Sequence, residues 1–207
     1  MIILASASPR RADILLRHGV EFCVDPADID ESPLANESPG DYVVRVAEAK
    51  AENRLPRLAE SKCSLVLAAD TCVSLDSEIL GKPENLDHFV SMFELLSGRT
   101  HKVYTGVSLA GGPEADFRET MLETLRESIL VSTEVSFREI GNDQILKYWN
   151  SGEPQDKAGG YGIQGLAAEF IERIEGSYSN VVGLPICETM QLLDRWHIEH
   201  SLGPKNV

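Results

Sequence analysis

A short apolar run near the start of the chain leads into hydroxyl and guanidinium groups, in the stretch LASASPRR from Leu4 to Arg11. Ser8 is a good N-cap and Pro9 suits a first helical position, so a helix is predicted to begin here with free backbone N–H groups. Arg10 and Arg11 add forked cationic donors that match phosphate oxygens. The stretch predicts an anion site suited to a polyphosphate, and a capped helix with two solvated arginines is the structural alternative.

Acidic side chains occur at two places where they could handle a cation or a proton. Asp70 directly follows an apolar strand predicted over Leu65–Ala69, at the carboxyl end where α/β proteins bind ligands. It could ligate a divalent cation or accept a proton from water, and the alternative is an aspartate that caps a turn. Asp28, Asp30 and Glu31 lie in an acidic loop that could hold Mg²⁺ or could simply be solvated.

Two glycine-containing stretches could approach a ligand closely. In Gly81-Lys82-Pro83 a lysine is held on a rigid turn, from which it could reach a phosphate. Asp156–Gly165 contains four glycines, Tyr161, which could stack on a base, and Gln164, whose amide could read a base edge. A surface turn and a structural glycine-rich turn are the respective alternatives. The second stretch is neither a dinucleotide fingerprint nor a Walker loop, because its lysine precedes the glycines.

Alternating strands and helices are predicted to position these side chains. Strands are predicted over residues 2–5, 65–69, 101–110, 129–137 and 170–174, with a hairpin over Val73–Leu80 that turns at Asp76-Ser77. Helices are predicted from Pro9 to Gly19, over 40–53, from an Asn85 cap to about Ser97, from Asn142 or Asp143 to about Gly152, and over 184–197. This order predicts an α/β fold with a mixed sheet flanked by helices, in a single domain over residues 1–207.

Composition restricts the function classes. The chain has 33 acidic and 19 basic residues among 207, a formal net charge of −14, which argues against a surface for nucleic acid or anionic lipid. The four cysteines form no Cys-x-x-Cys pair, so free thiols in a reducing compartment are expected. No stretch has the length of a membrane span or the pattern of a signal peptide. A cytoplasmic enzyme or binding protein that does not act on membranes is therefore predicted.

Taken in order, these stretches resemble the Maf family of nucleotide pyrophosphatases over nearly the whole chain. The matching pieces are LASASPRR, IDES, AEAKAEN, AADT, ILGKPEN, SGRTHKVYTGVSL, DKAGGYGIQG and GSYSNVVGLPICE. The resemblance implies an elongated mixed sheet and a deep cleft between two lobes, similar to the fold of inosine triphosphate pyrophosphatases. It also implies a homodimer that hydrolyses nucleoside triphosphates to the monophosphate and pyrophosphate with a divalent metal, Mg²⁺ or Mn²⁺.

The resemblance also implies roles for individual residues. They are Asp70 as proton acceptor and metal ligand, Glu31 as a second metal ligand, and Ser8, Arg10, Arg11, Lys50 and Lys82 as phosphate-binding residues. Arg10, Thr71 and Gln164 resemble the branch that prefers dTTP and UTP, with Thr71 and Gln164 selecting the base. A branch that acts on 7-methyl-GTP instead has a tryptophan after the proline, SDQ and a KSEG-like loop.

Substrate and role both have alternatives. The substrate is expected to be dTTP, UTP or a modified pyrimidine nucleotide. The alternative function is a nucleotide-binding regulator of cell division or septum formation with little catalysis, because members of the family have been linked to septum inhibition. One departure from the family is the segment from Gly111 to Glu127, which is longer and more charged than usual.

Overall fold

A seven-stranded mixed sheet with helices on both faces is formed by residues 1–111 and 125–203, which a computed structural model describes. The strands are β1 (Ile2–Leu4), β2 (Phe22–Val24), β3 (Leu65–Leu75), β4 (Glu78–Leu80), β5 (Thr100–Gly111), β6 (Leu125–Phe137) and β7 (Ile171–Glu175). The helices are α1 (Pro9–Arg17), α2 (Pro39–Arg54), α3 (Leu86–Leu96), α4 (Asn142–Asn150), α5 (Tyr178–Val182) and α6 (Ile186–Arg195). Short 3₁₀ turns span Leu55–Glu60, Glu153–Asp156, Ala158–Gly160 and Leu166–Phe170. The predicted mixed α/β class is confirmed.

Local sequence signals account for most of these boundaries. Asn85 caps α3 by accepting a hydrogen bond of 2.9 Å from the backbone N–H of His88. Asp76 and Ser77 have positive φ angles of 51° and 71°, which gives the two-residue turn that joins β3 to β4 in the predicted hairpin. β2 and α5 were not predicted from the sequence, because three and five residues are too few to show a periodic pattern. Residues 112–124, most of the charged departure from the family, lie outside the described residues.

The sheet has the strand order β2-β1-β3-β5-β6-β7, with β4 paired to the end of β3. The short strand β1 runs parallel to both β2 and β3, and the other pairings are antiparallel. The pairing of β1 with β3 ends where Leu4 lies opposite Leu67, and the pairing of β4 with β3 begins only at Val73. Among the described residues, no strand lies beside Ala68–Cys72 on the edge of β3 that faces away from β5, and we call this gap the notch.

Asp70 lies in the notch and not at the end of its strand, so the placement predicted from the sequence is wrong. β5 pairs with β3 without interruption from Leu65 to Ser74, and Asp70 lies opposite Gly106 in this ladder. The strand that ends nearby is the neighbour, β1. The antiparallel partner thus extends β3 past Asp70 while the parallel partner stops, which opens the sheet beside the carboxylate.

Buried side chains on either side of the notch form two lobes. One lobe surrounds β1 and the first half of β3, with Leu15 of α1 and Leu192 of α6 on one face and Ala51 of α2 on the other. The second lobe contains an aromatic core, in which Phe89 and Phe93 of α3 have ring centroids 4.4 Å apart. The long strands β3 and β5 pass through both lobes, so the cleft between the lobes has a continuous floor.

Close packing sets the position of α2 over this floor. A Cβ atom at Gly106 of β5 would lie 2.4 Å from the carbonyl oxygen of Val43, so only glycine permits this approach. Val43, Val46, Ala47 and the side chain of Lys50 are buried against the sheet. None of the described helices combines enough length with enough apolar character to cross a bilayer.

Candidate active site

The notch opens into a cleft of about 830 Å³ between the two lobes, large enough for a small-molecule ligand. Its walls come from the N-terminus of α1, the acidic loop, β3, the Gly81-Lys82 turn, the glycine-rich stretch and Gly183. All nine residues to which the resemblance gave roles line this one cleft; they are Ser8, Arg10, Arg11, Glu31, Lys50, Asp70, Thr71, Lys82 and, for the base, Gln164. Residues from distant parts of the chain therefore meet as expected.

Asp70, Lys50 and Glu31 converge at one point of the cleft. The Nζ atom of Lys50 lies 2.8 Å from Oδ1 of Asp70 and 3.0 Å from Oε1 of Glu31. Asp70 and Lys50 are buried, whereas the side chain of Glu31 is about half exposed, at 48%. Burial raises the pKa of Asp70, against the opposing effects of Lys50 and Arg11. A raised pKa makes the Asp70 carboxylate a stronger base than a solvated one.

Helix α2 also anchors the loop that carries Glu31. The hydroxyl of Tyr42 donates a hydrogen bond of 3.0 Å to the backbone carbonyl of Glu31. Arg45 donates to the carbonyl of Ser32 at 3.1 Å and forms a bidentate ion pair with Glu37. The loop therefore presents Glu31 toward Lys50 through several contacts. Tyr42 also lines the cleft and was not predicted from the sequence, because its position in the helix predicted over 40–53 does not indicate a contact with the acidic loop.

Arg11 is buried, and most of its N–H donors form hydrogen bonds inside the protein. Its Nε atom donates to the carbonyl of Gly183 at 2.7 Å, and Nη1 donates to Ser6 Oγ at 3.0 Å and to the carbonyl of Ala69 at 2.7 Å. Nη2 donates to Thr71 Oγ1 at 3.0 Å. Arg11 thus satisfies a backbone acceptor on the unpaired edge of β3, and only one of its N–H donors is left over.

The side chains of Arg10, Ser8 and Lys82 face the same cleft, and their polar groups have no hydrogen-bond partner among the described residues. Within the described residues, neither the Arg10 nor the Lys82 side chain has a hydrogen bond or ion pair, and the Ser8 hydroxyl makes no cap bond although Ser8 occupies the N-cap position of α1. The Gly81 carbonyl accepts a bond of 2.9 Å from the N–H of Gly159, which joins the Lys82 turn to the glycine-rich stretch. These groups can accept a bound anion without breaking contacts inside the protein.

Thr71 and Gln164 line the cleft from different sides. Thr71 follows Asp70 on β3, so its side chain points to the opposite face of the sheet, where it lies 2.9 Å from Thr105 Oγ1. Gln164 is exposed in the glycine-rich stretch. Tyr161 of the same stretch is buried, and its hydroxyl lies 2.7 Å from Nε2 of His101 on β5. Tyr161 therefore packs into the second lobe, and little of its ring is left to stack on a base.

The donor set at Asp70 and Glu31 fits a hard divalent cation. Both are carboxylates, and they already converge on one positive group, the ammonium of Lys50. In the part of the chain that the structure describes, no group of three or more His, Cys, Asp or Glu side chains could hold a metal. Mg²⁺ commonly binds through one or two carboxylates, with substrate phosphates and water completing its shell. This set therefore suits a cation that binds together with a phosphate compound.

Comparison with known proteins shows the family of this chain. The family model described as Maf-like protein matches residues 1–196. The chain belongs to the Maf family. Relatives within this family include a protein of Pseudoalteromonas atlantica named dTTP/UTP pyrophosphatase, which is 46% identical over 97% of this chain and 100% of its own length. A protein of Hahella chejuensis with the same name is 43% identical over 96% of this chain and 93% of its own.

Among solved structures, the Maf chain matches the Ham1 protein of Staphylococcus aureus with a TM-score of 0.45 and 14% identity, over 95% of this chain and 98% of that one. The Maf assignment itself rests on the family match and on the relatives above 40% identity. Over nearly its whole length, the chain therefore belongs to one family with proteins named dTTP/UTP pyrophosphatase.

Proposed function

We propose that this Maf protein hydrolyses dTTP and UTP to the monophosphate and pyrophosphate. The observation that carries the proposal is the contact of Lys50 with both Asp70 and Glu31, at the floor of a cleft that Arg10 and Lys82 also line. A pure binding site would not need a buried carboxylate facing a phosphate, because the two negative charges repel. The relatives named dTTP/UTP pyrophosphatase support the substrate class.

The cations and hydroxyls of the cleft that have no partner among the described residues would bind the phosphates. Arg10 and Lys82 would bind the triphosphate from two sides, together with Ser8 and the first backbone N–H groups of α1. Lys50 would neutralise charge next to Asp70. Arg11 would contribute its positive charge and one remaining donor while holding Thr71 and the edge of β3 in position.

The chemical step needs a water molecule and a leaving pyrophosphate. Asp70 orients or deprotonates the water, whose oxygen bonds to the α-phosphorus as the bond from that phosphorus to the bridging oxygen breaks. The proton goes to Asp70 or to solvent, and pyrophosphate leaves with the electron pair of the broken bond. Asp70 and Glu31 would hold a divalent cation, Mg²⁺ or Mn²⁺, which supplies neutralisation of phosphate charge and acidification of bound water. Arg10, Lys82 and Lys50 stabilise the charge that develops on the departing group.

The substrate panel is the experiment that tests this proposal. The purified protein, with Mg²⁺ or Mn²⁺ added, is supplied with dTTP, UTP, modified pyrimidine triphosphates, CTP, ATP and 7-methyl-GTP. Pyrophosphate release is expected with dTTP and UTP in preference to the others. Equal or faster turnover of 7-methyl-GTP would contradict the substrate assignment, and nucleotide binding without turnover would favour a regulatory role.

Replacement of Asp70 by Asn tests the proton acceptor. Asp70→Asn keeps the size and polarity of the side chain but removes its negative charge and most of its basicity, so turnover is expected to fall by about 10²–10⁴-fold while dTTP still binds. Asp76→Asn is the matched control, because Asp76 lies in the exposed β3–β4 turn and pairs only with Arg99 at 2.7 Å among the described residues. Unchanged turnover in Asp70→Asn would remove Asp70 from this role.

We also propose a domain organisation, an oligomeric state and a cellular compartment for the protein. We propose one domain over residues 1–207, which the continuous sheet from β1 to β7 supports. The protein is proposed to be a cytoplasmic homodimer: the four cysteines are free thiols, as in reducing compartments, and the dimer is what the family resemblance implies. The net charge of −14 supports a small-molecule substrate rather than nucleic acid or a membrane as its partner.

A further inference from the structure

Glu153 makes an unusual set of contacts at the edge of the cleft, next to the segment that carries Gln164. Its carboxylate accepts hydrogen bonds from the hydroxyl of Tyr148 and from the backbone N–H of Leu166, both at 2.8 Å. A longer contact of 3.5 Å joins it to the N–H of Ala167. The carboxylate thus satisfies the free N–H groups at the start of the 3₁₀ turn Leu166–Phe170, two residues after Gln164.

The chain also comes very close to this carboxylate at Gly165. A Cβ atom added to Gly165 would lie 2.2 Å from Oε2 of Glu153, so glycine is needed there as long as Glu153 keeps its position. The φ angle of Gly165 is −111°, which other residues adopt without strain. The need for glycine at this position therefore comes from the Glu153 side chain and not from the backbone conformation.

Two further contacts connect Glu153 with the segment on the other side of Gln164. The Tyr148 hydroxyl that donates to Glu153 also accepts a bond of 3.3 Å from the N–H of Gly162. Lys157 donates to the backbone carbonyl of Glu153 at 2.7 Å, and its side chain packs beneath Gly162. Burial raises the pKa of Tyr148, so the phenol remains a donor at neutral pH. Gly162 and Leu166, which bracket Gln164, are thus both fixed by one carboxylate and its phenol partner.

We propose that Glu153 is a positioning residue that sets the base selectivity of the cleft by fixing the segment Gly162–Gly165 around Gln164. Glu153 acts through the backbone of that segment and has no part in the hydrolytic step. The inference rests on the proposed function and on a contact of Gln164 with the base, which the family resemblance implies. A site whose polar groups are fixed rejects bases that leave those groups unpaired, whereas a mobile amide adapts to several bases.

Binding of non-hydrolysable nucleotides tests the inference without relying on turnover. Dissociation constants of α,β-imido-dUTP and α,β-imido-dATP are measured by calorimetry for the wild type and for Glu153→Gln. The amide of glutamine has one acceptor oxygen where the carboxylate has two, so it cannot accept from the Tyr148 hydroxyl and the Leu166 N–H with two separate oxygens as the carboxylate does. The preference for the dUTP analogue is expected to fall about tenfold, mainly through weaker dUTP binding. Glu172→Gln is the matched control, because Glu172 is exposed on β7 away from the cleft lining, and the preference should not change.

Gly165→Ala provides a second variant that leaves Glu153 itself intact. The added methyl group should push the flexible carboxylate away from Leu166 and lower the preference to a similar extent. If both variants act through the same contact, the double variant should resemble either single variant instead of showing the product of their effects. Where Glu153→Gln fails to fold, Gly165→Ala alone decides the question.

The outcomes separate this inference from the proposed function. A folded Glu153→Gln or Gly165→Ala protein that keeps the wild-type preference within twofold would overturn the role of Glu153, even if its melting temperature falls. A wild-type protein that binds the dUTP analogue selectively but releases no pyrophosphate from dTTP would contradict the proposed function and leave the binding test of Glu153 in force. A wild-type protein with no preference between the two analogues would overturn the inference about Glu153.

Discussion

At the residue scale, the two adjacent arginines have different surroundings. Arg11 is buried and donates to Gly183, Ser6, Ala69 and Thr71, whereas Arg10 is half-buried and has no partner within the described residues. Burial lowers the pKa of Arg11, and its charge is offset mainly by nearby Asp70. From the sequence the two guanidinium groups were expected to bind phosphate together. In the folded protein, Arg11 lines the cleft and also donates to the Ala69 carbonyl on the open edge of β3.

Substitutions of the two arginines should therefore give opposite results. Arg11→Lys replaces a planar fork by a single ammonium that cannot reach four acceptors, so we expect a loss of about 3 kcal/mol in unfolding free energy. Arg10→Lys should leave stability nearly unchanged and raise the KM for dTTP. Thermal unfolding and steady-state kinetics of both variants check this. An Arg11→Lys protein with wild-type stability would contradict the assignment of Arg11 to the edge of β3.

At the scale of elements, the position of Lys50 depends on how closely α2 approaches β5. Gly106 allows the carbonyl of Val43 to lie where a side chain would otherwise be, and Lys50 lies two helical turns further along the same face. The distance from Lys50 to Asp70 is thus set by backbone packing as well as by the ion pair. Glycine at a strand position opposite a helix is a common sign of such an approach.

Gly106→Ala should consequently affect both stability and activity. The new methyl group would overlap the backbone of α2, and we expect a loss of about 1–3 kcal/mol together with a lower kcat/KM, because Lys50 moves relative to Asp70. For stability, Gly81→Ala is the control, since a Cβ there meets no atom within 4 Å. Chemical denaturation of the three proteins measures the difference. Equal stability of Gly106→Ala and Gly81→Ala would show that α2 does not pack this closely.

Sequence patterns predicted most helices and strands, and the family resemblance implied residues that line the cleft, but neither predicted how the cleft is formed. Hydrophobic periodicity located β1, β5, α2 and α3, and the turn residues located the β3–β4 hairpin. Whether β3 ended at Ala69 or continued depended on its pairing with β5, a contact between residues about 40 positions apart in the chain that no local pattern encodes. Tyr42 and Glu153 were missed for the same reason, since their partners come from other segments.

At the scale of the whole molecule, a buried histidine couples stability to pH. His101 of β5 lies between the aromatic core and the glycine-rich stretch, where it contacts Tyr161 and packs edge-on against Phe137. Its Nδ1 atom has no hydrogen-bond partner within the described residues. Burial lowers the pKa of His101 from 6.5 to about 4, because a charged ring here would lose its hydration.

Because the pKa of His101 is lowered, the free energy of unfolding falls as the pH falls. Between pH 6.5 and about 4 the unfolded chain binds a proton at His101 that the folded protein does not, so acidification across this window lowers stability. The full contribution is about 3 kcal/mol. His101→Gln retains a polar partner for Tyr161 but does not titrate. Its unfolding free energy should therefore fall less than that of the wild type from pH 7 to pH 4.5, and parallel curves would contradict this account.

In the proposed reaction water attacks the α-phosphorus, and oxygen labelling measures which phosphorus is attacked. The wild-type protein hydrolyses dTTP in water enriched in ¹⁸O, and the products are analysed by mass spectrometry. We predict one ¹⁸O atom in the released dTMP and none in the pyrophosphate. Label in the pyrophosphate, or release of orthophosphate in place of pyrophosphate, would contradict the claim.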